Sequence, residues 1–410
     1  MRPRSILSVY QLAARAWLTA AGLSLLLPAS ARLGWWLPLH LTLAGAISAA
    51  ISGAMQNFAL TLTSTPAPPI AVVVVQFALV NAGVALLAVG YPAELGAMVV
   101  LGGASFVGAM VLLGWVVWRA WRIALNKRHP LPLAMYGAAI AAVLAGGTLG
   151  AIVGSRTLHD PTVWLGLRQA HLTLNVLGWV SLTIAGTLIT LLPTVLRVRM
   201  PSWHGTTSAA LLAGGSATIA IGLGVRLAPV AAVGGFAYAL GALGVAWLAA
   251  RAMSTPRTWP VAITAKHFVF GVAWFVVGSV ALALAVARGL DAFAAFRAPY
   301  LVAFVGGWAV QVLLGAWLYL LPMARPGHPD ERRRQLTVTE LGGRLQLVAL
   351  NAGLALMALA GAGWVSEAAG AIGLGLALGG GAIALLKAWC FPVLARAPVL
   401  TGRIRSVWGA

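Results

Sequence analysis

The sequence predicts an all-α, polytopic membrane protein whose helices cross the bilayer about twelve times. Of its 410 residues, 61% are hydrophobic and only 8% are charged, whereas soluble globular chains are roughly 25% charged. Apolar runs of roughly 20 residues, the length that spans a hydrocarbon core, recur along the whole chain. Lys and Arg collect in alternate gaps between these runs. The pattern predicts a single transmembrane domain over residues 1–410 and no soluble domain.

The apolar runs define the expected helices in order. Twelve spans are predicted near 14–31, 36–63, 69–90, 95–118, 132–154, 170–196, 205–225, 228–250, 262–287, 299–323, 344–363 and 366–389. For the last two, a single re-entrant hairpin is the alternative. Arg2 and Arg4 precede the first run, and Ala29-Ser30-Ala31 imitates a signal-peptide cleavage site. We expect the run to be kept, because the repeat described below needs it as its first helix.

Orientation follows from the distribution of Lys and Arg, which accumulate on the cytoplasmic side of a membrane protein. Alternate gaps hold 21 of these cations on one side and 6 on the other. Both termini are therefore predicted to be cytoplasmic. Tryptophans such as Trp36 and Trp164 fall at predicted span ends, where indole rings favour the headgroup level.

The net charge of +20 does not indicate a nucleic-acid partner. A nucleic-acid-binding face needs clustered Lys and Arg with interleaved aromatic residues, whereas these cations lie between apolar runs. The expected partner is the lipid bilayer. Cys390 is the only cysteine, which excludes an internal disulfide framework and a cysteine-based zinc site.

An internal repeat relates three of the predicted spans. Span 6 reads HLTLNVLGWVSLTIAGTLITLLPTVLR from His171, and span 10 reads YLVAFVGGWAVQVLLGAWLYLLPMARP from Tyr300. Aligned without gaps, they match at Gly178/Gly307, Trp179/Trp308, Gly186/Gly315, Leu192/Leu321 and Pro193/Pro322. Span 2 begins with the same HLTL at His40. Chance recurrence of Gly, Trp and Leu in an apolar chain is the alternative.

The offsets of 131 and 129 residues between these spans predict three units of four helices, about 1–130, 131–260 and 261–410. A pseudo-threefold axis would make spans 2, 6 and 10 equivalent inner helices. Each would run from outside to inside, so His40, His171 and Tyr300 are expected near one outer level of the bundle.

Few groups within the predicted spans could carry chemistry. All seven carboxylates fall in loops or at span ends, which weighs against a proton pump or a proton-coupled transporter. His40 and His171 remain as candidate ligands, since neutral imidazoles from separate helices can converge on haem iron or copper. The alternative is that each histidine only hydrogen-bonds a neighbouring carbonyl.

The other polar residues are expected to be structural or solvated. His267, beside Lys266, is expected at the cytoplasmic interface. Four further histidines are expected in solvated loops or at span ends: His129, His159, His204 and His328. Five intramembrane amides are expected to hold helices together: Asn57, Asn81, Asn175, Gln311 and Asn351.

Twelve spans in three arcs, with histidines at the outer ends of spans 2 and 6, resemble subunit I of the haem-copper oxidase superfamily. The 27-residue stretch from His171 resembles the NnrS-related and multicopper-oxidase-associated bacterial membrane proteins of that superfamily. The resemblance implies a bacterial cytoplasmic membrane location. It also implies that His40 is an axial haem ligand and His171 a copper ligand.

The sequence departs from that family in two places. Span 7 lacks the histidine pair that completes the copper site, and span 10 has Tyr300 but no His-x-His motif for two haems. A complete terminal oxidase is therefore not expected. The resemblance leaves a divergent member that binds one haem, one copper ion or neither, near an outer site of His40, His171 and Tyr300.

Two functional hypotheses follow from these residues. The first is redox, nitrosative-stress or copper-stress work at a haem or copper site, with a redox partner such as a multicopper oxidase. The second is a transporter or membrane scaffold with no cofactor, in which the histidines are structural. Whether the chain is an enzyme stays open between them.

Overall fold

The computed structural model describes residues 3–125, 127–199, 205–254, 262–324 and 329–394. Within them the chain is helical, with no β-strand. The helices are α1 (Pro3–Ser24), α2 (Trp36–Thr63), α3 (Ile70–Gly90), α4 (Gly96–Arg122), α5 (Pro130–Gly154), α6 (Pro161–Leu196), α7 (Gly205–Gly224), α8 (Ala228–Met253), α9 (Ile263–Ala287), α10 (Leu290–Ala295), α11 (Arg297–Met323), α12 (Pro329–Glu340), α13 (Gly343–Gly361) and α14 (Glu367–Leu394).

Eleven stretches of described helix are long and apolar enough to cross a membrane. They correspond to predicted spans 2 to 12. The last two form separate long helices, α13 and α14, of 19 and 28 residues, which supports two spans there rather than one hairpin. The helical, multi-pass character predicted from composition is therefore confirmed.

The first predicted span needs correction. The apolar run was placed at 14–31, but α1 covers Pro3–Ser24 and turns follow it. Arg15 consequently lies near the middle of this helix, where its Nε donates to the Gln11 carbonyl at 3.2 Å. This helix is not among the eleven apolar stretches. The boundary was misplaced because the polar first turns were read as a loop.

Local sequence explains where α6 begins. The Asp160 side chain accepts hydrogen bonds from the Thr162 and Val163 amides at 2.7 and 3.1 Å. Pro161 occupies the first turn, where it costs no hydrogen bond. Asp160 is therefore a helix cap, in agreement with its predicted place at a span end.

A π-helical segment interrupts α2, α6 and α11, the three helices that the repeat makes equivalent. The segments are Leu41–Ile47, Leu174–Ser181 and Val302–Val310. π-Helical turns are rare and are frequently found at functional sites. In α2 and α6 the segment begins immediately after the region that carries His40 and His171.

A long helix from the same third of the chain, α1, α5 or α9, packs against a glycine in each of these three helices. A Cβ atom on Gly45 would lie 2.9 Å from Trp17 of α1, and one on Gly178 would lie 2.5 Å from Ala142 of α5. A Cβ atom on Gly307 would likewise collide with the Trp274 ring of α9. The same type of close approach therefore occurs at corresponding places in each third of the chain.

Each third also contains a helical hairpin closed by glycine. Gly83 of α3 lies against the backbone of Gly102 and Phe106 in α4. The same four-residue spacing recurs between α7 and α8 and between α13 and α14, as Gly215 with Gly234 and Tyr238, and Gly353 with Gly373 and Ala377. Small residues allow such close packing in lipid. The placement of the three thirds around one axis stays a prediction.

Contacts divide the protein into two compact units. The first comprises Met1–Leu191, Met200–Leu248 and Val276–Phe296. The second comprises Leu192–Arg199, Ala249–Phe275 and Arg297–Ala410. In the first unit Trp179 is almost fully buried and its indole N–H donates to the Ser48 hydroxyl at 3.0 Å, joining α6 to α2. In the second unit Ile263, Leu318 and Leu347 form a buried cluster.

A candidate two-histidine site

His40 lies at the last turn of α2 before its π-helical segment. Its Nδ1 atom is 2.8 Å from the Trp36 carbonyl oxygen. A carbonyl can only accept a hydrogen bond, so Nδ1 carries the proton. In the neutral ring, Nε2 then keeps its lone pair and can bind a metal.

His171 is held in the same way by a different helix. Its Nδ1 atom is 2.7 Å from the Gly146 carbonyl of α5, so this nitrogen is also the donor. Asn175, one turn further along α6, donates to the His171 carbonyl at 2.8 Å. The ring occupies space left by a glycine, because a Cβ on Gly150 would lie 2.6 Å from Nδ1.

The two imidazoles lie close together in the first unit. Their ring centres are 6.4 Å apart and their planes differ by 9°. Both residues are partly accessible rather than fully buried. Each ring therefore has Nδ1 committed to a backbone carbonyl and Nε2 available in the neutral form. Metal-binding histidines usually donate their other ring N–H to a carbonyl or carboxylate in this way.

Aromatic rings extend from His40 toward the predicted outer rim. Trp36 stacks on His40 at 4.1 Å between ring centres, and Tyr91 stacks on Trp36 at 4.3 Å. The Arg156 guanidinium lies 5.7 Å from the Tyr91 ring and pairs with Glu94 at 2.9 Å. These contacts fix the orientation of the Trp36 ring, and through it the face of His40 that remains open.

Positive charge also lies near the pair. Arg168 precedes His171 by one turn of α6 and interacts electrostatically with both histidines. Its guanidinium is 5.2 Å from the Trp164 ring centre. A ligand with an anionic group would therefore be favoured beside the two imidazoles.

Tyr300, the third predicted member of the site, belongs to the second unit. It is 1% exposed, and its ring centre is 5.0 Å from that of Phe304. Its inclusion in a site with the two histidines stays a prediction.

The glycine contacts give a different register for the repeat than the HLTL match. Gly45 contacts α1 and Gly178 contacts α5, and these glycines are 133 residues apart. A second pair with the same contacts, Gly53 and Gly186, is also 133 residues apart. The HLTL match gives 131. In the register of the packing, His171 corresponds to Pro38 and not to His40. The two histidines therefore approach each other from positions two residues apart in the repeat.

Two paired contacts were missed because their residues are far apart in sequence. Trp17 donates to Asn81 at 2.7 Å in the first unit, and Trp274 donates to Asn351 at 2.9 Å in the second. A second pair accompanies each of these contacts: Tyr10 with Gln76, and His267 with Gln346. Tyr10 and His267 each lie two helical turns before the tryptophan. Gln76 and Gln346 each lie five residues before the asparagine. The repeated Y/H-x6-W and Q-x4-N spacings were a signal in the sequence.

The remaining polar predictions have mixed outcomes. Asn81 and Asn351 join helices as expected, whereas the Gln311 side chain has no hydrogen-bond partner. His267 is fully buried by neighbouring helices, and its place at the cytoplasmic interface stays a prediction. His129 and His159 are exposed, as expected. His204 and His328 lie outside the described residues.

The 21 cations predicted on the cytoplasmic side include Lys387, assigned to the segment that follows the last span, but it lies inside α14 and is only 8% exposed. The apolar run ends close to it in sequence, which is why it was assigned to that segment.

Within the described part of the chain, no group of three or more His, Cys, Asp or Glu lies close enough together to hold a metal ion. A site at His40 and His171 would therefore use two imidazoles. No family model and no curated protein matches the chain.

Proposed function

We propose that this chain is a divergent haem-copper-oxidase-like membrane protein in which His40 and His171 hold one haem or one copper ion. Its work would be redox chemistry or protection against nitrosative or copper stress. The observation that carries this proposal is the pair of near-parallel imidazoles, 6.4 Å apart, each with Nδ1 donating to a backbone carbonyl.

The donor set fits the group. Neutral imidazole nitrogens are ligands for both haem iron and copper, and the two rings, with centres 6.4 Å apart, would each supply one such nitrogen. Arg168 near both rings favours haem, whose carboxylates it would neutralise, over a bare copper ion.

The protein's own residues would bind and orient the group. Trp36 and Gly146 fix the two imidazole tautomers through their carbonyls, and Gly150 leaves room for the His171 ring. A bound haem or copper ion supplies one-electron chemistry that these side chains lack. The missing histidines of spans 7 and 10 exclude the two-centre oxygen chemistry of a complete oxidase from the proposal.

The proposed setting is the cytoplasmic membrane of a bacterium, with both termini in the cytoplasm and the histidines toward the outer leaflet. The excess of Lys and Arg in alternate loops supports this orientation. A redox partner, such as a multicopper oxidase, would then meet the protein at its outer face.

The second candidate is a transporter or scaffold with no cofactor. It is favoured by the hydrogen bonds around His171, which a structural histidine would also make, and by the lack of a third ligand among the described residues.

Single substitutions His40→Ala and His171→Ala separate the two candidates. We expect each to lower haem or copper occupancy by about tenfold or more, because losing even a supporting residue of a metal site costs 10–100-fold in affinity. Metal analysis and absorption spectra of the purified variants measure it. His129→Ala, at an exposed position, is the matched control and should keep wild-type occupancy.

Thermal unfolding checks that the fold survives each substitution. If both variants fold and keep the cofactor of the wild type, the two histidines do not bind it and the proposal is wrong.

A further inference from the structure

A buried polar network lies in the second unit, at the end of its helices predicted to face the cytoplasm. It joins His267 of α9, Gln346 of α13 and Lys387 of α14. His267 and Gln346 are 0% exposed and Lys387 is 8% exposed. Ionisable side chains within membrane helices are costly, and they mark functional sites by default.

The hydrogen bonds of this network define the direction of every donor. The Lys387 ammonium can only donate, and it donates to Gln346 Oε1 at 2.8 Å. Gln346 Nε2 therefore faces His267 Nε2, 2.7 Å away, and donates to it. Because His267 Nε2 accepts, the proton of the neutral ring is on Nδ1.

That proton has no good acceptor. His267 Nδ1 faces the backbone of Gln311 but makes no well-formed hydrogen bond, and it is fully buried. Both polar atoms of the Gln311 side chain are also buried without a partner. Gln311 lies one turn before Gly315 on α11, and Gly315 contacts His267 of α9. Buried groups of this kind are rare, and each calls for a ligand or water that completes it.

The charge near the network is positive. The two hydrogen bonds of Lys387 go to neutral oxygens, Gln346 Oε1 and the Thr339 carbonyl at 3.1 Å. Glu340 interacts with Lys387 electrostatically, but its carboxylate accepts hydrogen bonds from the Ile263 amide at 2.9 and 3.1 Å. It is also influenced by Lys266. One carboxylate thus faces two lysines and a helix N-terminus.

The corresponding contact in the first unit shows that this charge is not needed to join the helices. There Tyr10 contacts Gln76, and Gln76 donates to Ser52 at 3.4 Å, so the contact uses only neutral groups. The second unit has His267 and Lys387 instead. The replacement adds a cation at the same place, whereas a buried amide without a hydrogen-bond partner is present in both units, as Gln56 and Gln311.

We propose that Lys387, His267 and Gln311 form a binding site for a small inorganic anion of halide size. Lys387 supplies positive charge from beyond Gln346, and His267 Nδ1–H and the Gln311 amide supply the hydrogen bonds to the anion. The site is separate from the two-histidine pair, which belongs to the first unit.

The test is equilibrium dialysis of the purified full-length protein with radioactive chloride, alongside thermal unfolding in chloride and in gluconate. We expect saturable binding and a higher melting temperature in chloride. Lys387→Met should weaken binding at least tenfold. Lys266→Met removes a neighbouring charge outside the network and is the matched control.

Gln311→Leu covers the case in which Lys387→Met does not fold, because it keeps the cation and removes only the amide. It too should weaken chloride binding several-fold. Absence of saturable binding in the wild-type protein, or equal binding by folded Lys387→Met or Gln311→Leu, would overturn the proposal. Water alone at the site would give the first of these results.

Discussion

At the scale of single residues, the hydrogen bond made by Nδ1 determines the tautomer of each of the two imidazoles. His40 and His171 each donate from Nδ1 to a carbonyl that cannot donate in return. This leaves Nε2 as the atom available to a ligand without any assumption about the ligand itself. The position of the His171 ring depends in turn on Gly150, which has no side chain to displace it.

Gly150→Ala therefore tests whether the position of the His171 ring matters. The added Cβ would lie 2.6 Å from Nδ1, so the ring must move. We expect cofactor occupancy to fall by about tenfold, as measured by metal analysis. Gly137→Ala on the same helix meets nothing within 4 Å and is the matched control. Full occupancy in Gly150→Ala would show that the ring position is irrelevant to binding.

At the scale of helices, glycine determines how closely the hairpins pack. Gly353 of α13 lies directly against the backbone of Gly373 and Ala377 in α14. The same geometry recurs at Gly83 and Gly215. Backbone atoms cannot move aside as a flexible side chain can, so these crossings tolerate no added carbon without a shift of the helix.

Gly353→Ala should accordingly destabilise the protein by about 1–3 kcal/mol, the usual cost of overpacking. Thermal or denaturant unfolding in detergent, followed by tryptophan fluorescence, measures the change. Gly375→Ala on the partner helix has open space and gains helix propensity, so it should be neutral or stabilising. Equal stability of both variants would contradict the packing described for this hairpin.

Much of the helix arrangement was predictable from the sequence, and each feature that was missed has a physical reason. Apolar runs located the long helices because hydrophobic length is a local property. The π-helical segments were not predicted, since their hydrogen-bond register depends on neighbouring helices. Lys387 was misplaced because its burial depends on hydrogen bonds to Gln346 and Thr339. Both residues are distant in the sequence, so the residues around Lys387 give no sign of that burial. The sequence singled out His40 and His171, whose rings lie close together in the structure, although the HLTL register that related them differs from the packing.

At the scale of the whole molecule, the alternation of charged loops predicts which ends face the cytoplasm. His159 lies in an exposed loop predicted outside, and Lys127 lies in an exposed loop predicted inside. In a Cys390→Ser background, His159→Cys should react with a membrane-impermeant maleimide in intact cells. Lys127→Cys should react only after the membrane is opened. The reverse pattern would invert the orientation and place the histidine pair toward the cytoplasm.

The account as a whole depends on whether the two-histidine pair holds a cofactor. The most direct test is an absorption spectrum, with iron and copper analysis, of wild-type protein purified from cells supplied with both metals. The account predicts either a Soret band with about one iron per chain or about one copper per chain. A protein that is folded but has no Soret band, iron or copper would contradict it.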